Sequence, residues 1–354
     1  MAQRFLGGVF GNCRPSTALI SDTTGVYDLN GQYYIKQEGG WVEPFSASGG
    51  SEFTPGDGYK YHVWKVSDNG TPTGSMVVTG QPNPSVEFLM IGGGGGGGGN
   101  DVGGGGGAGG LIHYPGSPLD VGTHIVFAGA GGEGGTPTTG ENNPGRGFSG
   151  ESSTFSSPTQ DSGWPTTSLV ALGGAGGGFY SKPANVYGGC GGGNWIQTNN
   201  NDKGVQESPT SPLGQPANSI TYGEGYPGGS SNPPGSNGGD YCSGGGGGTG
   251  GVGGTASTPT AGNGGSGSGL PWTPTRFGDI PGFPGGTFGG GGGGGGQNGT
   301  AGEGGLGGGG DGLTTSGSGT AGSGSNFSGG GGGGSDWQGG DGGEGFVICR
   351  YPVS

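Results

Sequence analysis

The stretch that decides the fold is VEFLMIGGGGGGGG, residues 86–99, in which a mostly apolar hexapeptide runs directly into eight glycines. Val, Phe and Ile favour strands, so residues 86–91 are predicted to form a β-strand. Glycine has no side chain and adopts the extended polyproline II helix in either hand, with a rise of about 3.1 Å per residue. Residues 92–99 are therefore predicted to continue the strand as a polyglycine helix about 25 Å long.

The junction between an apolar strand and glycine recurs along the chain. HIVFAGAGGEGG begins at His124, SLVALGGAGGG begins at Ser168, and FVICRY, residues 346–351, follows glycine near the end of the sequence. Such self-similarity indicates repeated structural units, with flexible linkers as the alternative interpretation of the glycines. Further glycine runs occupy residues 103–107, 188–193 (interrupted by Cys190), 244–248, 289–296 and 329–334.

Neighbouring polyglycine helices are predicted to pack into a bundle. Their amides point outward, so each helix can exchange backbone hydrogen bonds sideways with its neighbours. One such bond contributes only about 0.5–1.5 kcal/mol, so many helices must lie in register. The strands at 86–91 and 346–351 are predicted to pair in one sheet and to bracket this bundle. The predicted fold is mostly β and irregular with almost no α-helix, and its scaffold runs begin and end at Gly92, Gly99, Gly289 and Gly296.

The composition allows three interpretations, namely collagen, a disordered chain and a folded chain, and the first two are disfavoured. The chain has 110 Gly and 25 Pro among 354 residues, a level typical of collagen or of disordered low-complexity sequence. Eight consecutive glycines exclude the Gly-X-Y repeat of collagen. Disordered chains are poor in aromatic residues and rich in charge, whereas this one has 6 Trp, 12 Tyr and 14 Phe with 10% charged residues. A folded chain is expected.

The net charge and the arrangement of the cysteines limit which binding partners and bonds are expected. The formal net charge of −14 disfavours nucleic acid as a partner. The sequence has neither the apolar stretch of a signal peptide nor the roughly 20 apolar residues of a membrane span, so we expect no membrane insertion. The cysteines are scattered without a CxxC motif, which favours reduced structural thiols over disulfides or metal ligands. They are Cys13, Cys190, Cys242 and Cys349.

The sequence divides into three parts. Residues 1–45 are predicted to form a small β module, in which VYDL-NG-QYYIK, residues 26–36, has the Asn-Gly signal of a hairpin. Residues 46–58 have the composition of a linker. Residues 59–354 form the glycine-rich domain, which opens with predicted strands at 59–66 and 75–78.

The quoted motifs resemble a known family. The segments 86–114, 124–135, 169–178 and GEGFVICRY at 343–351 resemble the glycine-rich domain of tail-fibre and other virion structural proteins of bacteriophages, notably marine ones. The resemblance covers residues 59–351, and the opening and closing strands are the family's recurrent marks. The glycine runs are also similar to those of receptor-binding adhesins at phage fibre tips. That similarity implies packed polyglycine helices whose connecting loops touch the bacterial surface.

The resemblance implies a non-enzymatic virion protein, made in the host cytoplasm and released by lysis. We expect a tail-fibre or adhesin component that attaches to other virion proteins through residues 1–45 and recognises a host glycan or outer-membrane protein. One alternative is a capsid or tail decoration protein without receptor binding. Another is a bacterial extracellular glycine-rich structural protein. A homotrimer and a single copy both stay open, because the sequence has no coiled-coil heptads.

Aromatic residues in the segments between glycine runs are candidate receptor contacts. Trp and Tyr present a flat apolar face together with a polar group, which suits recognition of sugars or protein loops. The alternative is that they cover the bundle or pack a subunit contact. The candidates are Trp164, Phe179, Tyr180, Tyr187, Trp195, Tyr222, Tyr226, Trp272 and Phe277.

Catalysis has little support in the sequence. The histidines are His62, His113 and His124, and the first and last lie in strand patterns that favour a structural role. The GxSxG and HExxH motifs are absent, and the acidic residues near the last glycine run lack EF-hand spacing. We therefore expect no catalytic residues, no cofactor and no metal site.

Overall fold

The computed structural model describes residues 45–66, 73–80, 84–100, 102–137, 145–157, 168–179, 188–194, 221–223, 225–231, 241–269, 286–314 and 318–353. The predicted hairpin at residues 26–36 lies outside these residues, as does the N-terminal module up to residue 44.

The described residues contain fifteen strands, and no helix lies wholly within them. The mostly β fold predicted from the sequence is therefore confirmed. The strands are β1 (Ser46–Ser48), β2 (Ser51–Phe53), β3 (Tyr59–Lys65), β4 (Thr73–Thr79), β5 (Val86–Ile91), β6 (Leu111–Ser117), β7 (Gly122–Phe127), β8 (Ser153–Ser156), β9 (Ser168–Ala171), β10 (Thr221–Gly223), β11 (Tyr241–Cys242), β12 (Ser268–Gly269), β13 (Thr287–Phe288), β14 (Gly296–Gln297) and β15 (Phe346–Pro352).

Two antiparallel sheets contain most of these strands. One has the order β1-β4-β7-β8-β9 and the other the order β10-β6-β5-β15-β3-β2. The predicted pairing of the opening and closing strands is confirmed, with Phe346 opposite Ile91 and Cys349 opposite Phe88. β15 lies between β5 and β3, so the last described strand occupies the middle of its sheet.

The two sheets pack face to face as a sandwich. Phe88 of β5 and Phe155 of β8 meet across the interface with ring centroids 4.6 Å apart. The opposite face of the six-stranded sheet is buried as well, because Phe288 and Phe327 from the glycine-rich region cover it. Burial on both faces explains why β5 and β15 are apolar at successive positions instead of alternating.

Residues 46–58, whose composition predicted a linker, contain β1 and β2. Ser46 pairs with Thr79 of β4, and Phe53 pairs with Tyr61 of β3. Ala47, the middle residue of β1, is 2% exposed and belongs to the sandwich core. A three-residue edge strand needs only one inward side chain, so its Ser- and Gly-rich composition resembles that of a linker.

The glycines that follow β5 form the centre of a hydrogen-bonded bundle. We call residues 92–99 the central run. Its N–H groups donate in rotation to three antiparallel segments: Gly92 to Gly110 O (3.1 Å), Gly93 to Glu151 O (2.9 Å) and Gly94 to Gly343 O (2.8 Å). Gly95 then returns to the first segment, at Gly107 O (2.8 Å). Partners that repeat every third residue are the signature of a helix with three residues per turn.

The carbonyls of the central run accept from three further segments that run parallel to it. Gly93 O accepts from Gly174 N (2.8 Å), Gly94 O from Gly132 N (2.9 Å) and Gly95 O from Gly332 N (2.9 Å). The central run thus has six neighbouring segments, all hydrogen-bonded to it. The predicted packed polyglycine bundle is present among the described residues.

Close approach of the segments is what requires glycine. A Cβ atom on Gly95 would lie 2.2 Å from the carbonyl oxygen of Ala175, and one on Gly97 would lie 2.0 Å from that of Gly333. Real Cβ atoms do not come this close to an oxygen. Larger residues instead occupy positions that repeat every third residue and face outward, as Glu133 does three residues after Ala130. The peripheral runs therefore combine a glycine face with a side-chain face.

A pair of substitutions in one glycine run tests this packing. A Cβ on Gly293 would lie 2.1 Å from Gly302 O, whereas the nearest atom to a Cβ on Gly296 is 3.5 Å away. We expect Gly293→Ala to lower the free energy of unfolding by about 3 kcal/mol and Gly296→Ala to change it by less than about 1 kcal/mol. Urea denaturation measures both. Equal losses in the two variants would contradict the close-packed bundle.

Arg350 connects the three central strands of the six-stranded sheet. Its guanidinium pairs with Glu87 of β5, lies 4.5 Å from the ring centroid of Tyr59 and reaches the hydroxyl of Tyr61 of β3 at 3.5 Å. Arg350 itself is 4% exposed. Because a buried cation without a partner is costly, these contacts fix the arrangement of β3, β5 and β15. Arg350, in the Arg-Tyr dipeptide near the end of the sequence, thus has a structural role.

Two buried histidines make stability depend on pH. His62 lies in β3 with Nδ1 2.7 Å from Gly49 O and Nε2 3.3 Å from the Tyr351 hydroxyl. Burial lowers the pKa of His62 and that of His113 below the ordinary value of 6.5. The unfolded chain therefore binds protons more readily than the folded one. The contribution to stability is complete above pH 6.5 and is lost as the pH falls through the lowered folded-state pKa.

We accordingly expect the free energy of unfolding to fall as the pH drops from about 7 to about 5, by up to about 1.4 kcal/mol per pH unit for each histidine. His62→Gln keeps a hydrogen-bonding side chain that does not titrate, and this variant is expected to have a shallower pH dependence. Urea denaturation at several pH values measures the slope. A slope that is unchanged in the double variant His62→Gln/His113→Gln would contradict this account.

Candidate functional site: the distal end of the bundle

The glycine bundle extends from one edge of the sandwich. β5, β7 and β9 lead into glycine segments that run away from the sheets, and the segments that return lead into β6, β8 and β15. We call the turns farthest from the sheets the distal end, and the edge of the sandwich on the opposite side the sandwich pole. The turn at Asn100 and the turn at Trp337 both lie at the distal end, since Asn100 N donates to Trp337 O at 2.9 Å.

The described chain begins and ends at the sandwich pole. Thr73 of β4 pairs with Phe127, which precedes a glycine segment, whereas Thr79 at the other end of β4 pairs with Ser46. Ser46 therefore lies at the sandwich pole. β15 also runs toward this pole, and Val353 N donates to Gly58 O there at 2.9 Å. The attachment to residues 1–44 and the distal end consequently lie at opposite poles.

Left-handed residues reverse the chain at the distal end. Asn100 has φ 58° and Val102 has φ 64°, and between them the central run turns back into residues 103–110. Asn tolerates this conformation, but a β-branched residue adopts it rarely. Val102 is fully buried, so burial of its side chain offsets the strain. Asn298, with φ 56°, occupies a second turn at the same end.

Trp337 places an exposed indole on a fixed backbone. The residue is 45% exposed. Its N–H donates to the Ser335 hydroxyl at 2.9 Å, and its carbonyl accepts from Asn100. Beside it, Thr320 pairs with Gln338, and the Thr320 hydroxyl donates to Gln338 Oε1 at 3.3 Å. Trp337 is therefore adjacent in the chain to an amide side chain that is hydrogen-bonded to the Thr320 hydroxyl.

The sequence interpretation missed Trp337, because its turn, SDWQ, contains no second aromatic residue. The sequence nevertheless contained a signal that this Trp is exposed. A single Trp in a short polar turn between two glycine runs has little room to become buried, because the adjoining segments have no side chains to cover it.

Threonines continue the polar surface at the distal end. Ala261 N donates to Thr300 O at 2.8 Å, and Thr300 N donates to Pro259 O at 2.7 Å. Thr260 and Thr300 pair and are exposed, while Thr314 pairs with Gly296. Backbone hydrogen bonds thus join neighbouring turns, and the described part of the distal end is a connected surface of hydroxyl and amide groups with exposed aromatic side chains at Trp337 and Tyr241.

Of the predicted contact residues, Phe179 lies at the distal end and is 9% exposed. Its ring lies 2.7 Å from where a Cβ on Gly145 would be. Gly145 O in turn accepts from Gly99 N at 2.6 Å. Phe179 therefore packs beneath the distal turns and supports them.

The other described candidates lie near the sheets. Tyr222 belongs to β10, whose Gly223 pairs with Leu111 of β6. Tyr226 is 37% exposed, and its backbone N–H donates to Gly248 O at 3.0 Å. The structure therefore does not bring Tyr226 together with Phe179. The remaining candidates, Trp164, Tyr180, Tyr187, Trp195, Trp272 and Phe277, lie outside the described residues.

All four residues predicted to mark the scaffold runs are buried, namely Gly92, Gly99, Gly289 and Gly296. Gly289 also requires glycine for a second reason, since its φ of 74° is left-handed. Gly296 pairs with Cys242 in the two-stranded sheet of β11 and β14.

Acceptor side chains terminate the bundle along its flanks. Asp341 Oδ1 accepts from Gly134 N at 2.8 Å, and Asp311 Oδ1 accepts from Gly304 N at 2.7 Å. Each carboxylate replaces the carbonyl that a further glycine segment would supply, as an N-cap residue does for a helix. A groove of about 330 Å³ beside Asp341 is lined by Glu133, Ser323 and Glu344 among others. No group of three or more potential metal ligands occurs in the described part of the chain.

The described cysteines, Cys190, Cys242 and Cys349, are buried and form no disulfide with one another. Burial raises the pKa of Cys190 to about 12 and also raises that of Cys349. Both are therefore thiols at neutral pH and are poor nucleophiles. Cys349 Sγ lies 3.6 Å from Met76 Sδ in the sandwich core, which is a packing contact.

One family comparison covers most of this fold. The sequence profile of a family described as a glycine-rich domain matches residues 70–352. The chain belongs to this family. The match includes β4 to β15 and the whole described bundle, but β1 to β3, which complete both sheets, precede it. No curated protein matches the chain.

The described residues contain no helix that is long and apolar enough to cross a membrane.

The fixed backbone at Trp337 can be tested through Ser335. Ser335 is fully buried, and its hydroxyl accepts from Trp337 N–H. In Ser335→Ala we expect the Trp337 amide to exchange with solvent roughly fivefold faster, as loss of a hydrogen bond of about 1 kcal/mol implies. The Gly95 amide, inside the bundle, is expected to keep its exchange rate. NMR hydrogen exchange measures both amides, and an unchanged Trp337 rate would contradict the assigned hydrogen bond.

Proposed function

We propose that this glycine-rich protein is a structural component of a bacteriophage particle, a tail-fibre or adhesin subunit that presents the distal end of its bundle for host recognition. Residues 1–45 attach it to other virion proteins. The protein is made in the host cytoplasm and is released by lysis.

The observation that carries this proposal is the polarity of the molecule. Residues 1–44 join the described chain at the sandwich pole, and the turns with Trp337, Thr260 and Thr300 lie at the opposite pole. An attachment segment and a recognition surface at opposite poles suit a protein that projects from a particle. A decoration protein lying flat on a capsid would have no use for this separation.

The rigidity of the bundle gives further support. Recognition residues commonly occupy loops that a rigid scaffold positions. Here the scaffold is the six-neighbour arrangement around the central run, in which backbone hydrogen bonds hold each turn of the helix. Neither flexing nor rotation of one segment is possible without breaking bonds to several others.

The proposed function is non-enzymatic, and the contacts of the histidines are consistent with it. His62 is hydrogen-bonded to Gly49 O inside the sandwich, and His124 stacks on Phe155 with ring centroids 5.3 Å apart. Both are fixed by contacts that stabilise the sheets. A general acid or base needs instead a position from which it reaches substrate.

Immunogold electron microscopy of virions tests the proposed location. We expect antibodies against residues 46–353 to label the tail fibres or the fibre tips. Gold on the capsid shell would favour the decoration protein, and unlabelled virions beside labelled host cell surfaces would favour a bacterial extracellular protein. Antibodies against an internal capsid protein serve as the control for intact particles.

A further inference from the structure

We propose that the surface formed by Trp337, Gln338 and Thr320 binds a neutral polysaccharide, with one sugar ring stacked on the indole. The inference rests on the proposed function, and it names the ligand class that this distal surface recognises. No aromatic residue of this turn was among the contacts expected from the sequence.

The first argument is the exposure of the indole. Large aromatic side chains gain by burial, yet Trp337 is 45% exposed. Its backbone is held by Ser335 on one side and by Asn100 on the other, so the turn has little backbone freedom to lose on binding. A rigid, flat and exposed aromatic face has a low entropic cost of binding.

The second argument is the chemistry beside the ring. The carbonyl and NH2 of an amide and a hydroxyl both donate and accept hydrogen bonds, as sugar hydroxyls do. Gln338 and Thr320 supply these groups, and their hydrogen bond of 3.3 Å holds them in one orientation. Because they lie on neighbouring glycine segments, the spacing between them is set by the bundle.

The third argument favours a sugar over a protein. A protein partner typically covers about 800 Å² and uses several clustered apolar or aromatic anchors. The distal turns within the described residues present two exposed aromatic residues on separate turns, Trp337 and Tyr241, among mainly polar side chains, and a single aromatic face is enough for one pyranose ring. Among the more exposed apolar residues, Leu306 lies away from this surface, since Leu306 O accepts from Gly267 N at the sandwich side of the bundle.

The fourth argument is charge. The formal net charge of the chain is −14, so an acidic polysaccharide would be repelled at low ionic strength. A neutral polymer is not repelled, and its recognition by stacking and uncharged hydrogen bonds is insensitive to salt. The ligand class is therefore a neutral glycan.

The experiment uses the full chain on a printed array of neutral bacterial O-polysaccharides, acidic capsular polysaccharides and purified outer-membrane proteins. We expect binding to at least one neutral polysaccharide. Trp337→Ala is expected to weaken that binding roughly tenfold, whereas Trp337→Phe keeps an aromatic face and is expected to stay within roughly threefold. Leu306→Ala, which removes a side chain that is 77% exposed near the sandwich, is the matched control and is expected to bind like the unmodified protein.

Undiminished binding by Trp337→Ala would overturn the inference. Protected exchange at the Gly95 amide in Trp337→Ala and Trp337→Phe verifies that both variants are folded. Binding to no polysaccharide, to the acidic ones alone, or to the outer-membrane proteins alone would overturn it as well. The immunogold result is independent of these outcomes. Labelled fibres together with a failed array would reject the glycan assignment alone, and unlabelled virions would reject the proposed function.

Discussion

The structure depends on one constraint, the close sideways approach of backbones that share hydrogen bonds in several directions. In a sheet, each strand bonds to two neighbours in a plane, and its side chains stand above and below that plane. The central run bonds to six neighbours around its axis, which leaves no direction free for a side chain. A Cβ would meet a carbonyl oxygen at about 2 Å at most interior positions. Glycine is therefore a steric requirement of this bundle.

The sandwich supplies what the glycine bundle lacks. Hydrogen bonds between glycines are alike, so they hold segments together without selecting which segments become neighbours. The apolar strands make that selection, because β5, β7 and β9 lead into the bundle from fixed places in two sheets. The core around Phe88 and Phe155, together with the contacts of Arg350, fixes those places. A chain with only 26% hydrophobic residues thereby concentrates them where they set the register.

Rigidity follows from the same arrangement and bears on function. Glycine loses more backbone entropy on folding than any other residue, and hydrogen bonds in several directions offset this loss collectively. Once formed, the bundle has few side-chain rotamers in its interior, and the segments cannot shift independently. Turns at its end can then vary in sequence while their spacing is preserved. Such a scaffold suits presentation of a surface like that of Trp337, Gln338 and Thr320.

Much of the fold was readable from the sequence. The strand at residues 86–91, its pairing with the closing strand and the extended glycine helices were all predicted, because apolar β-branched residues and uninterrupted glycine have strong local preferences. The strands within residues 46–53 were not predicted, since short edge strands and linkers share a composition.

The sequence by itself determined that the glycine runs can adopt an extended helix and that apolar strands adjoin them. Only the tertiary structure decided which runs are neighbours, that Phe179 is buried beneath the distal turns while Trp337 is exposed upon them, and that Tyr226 lies far from both. The physical reason is that a glycine run has no side chain with which to specify a partner. Its neighbours are set by strands many residues away, and the environment of each turn is set by those neighbours.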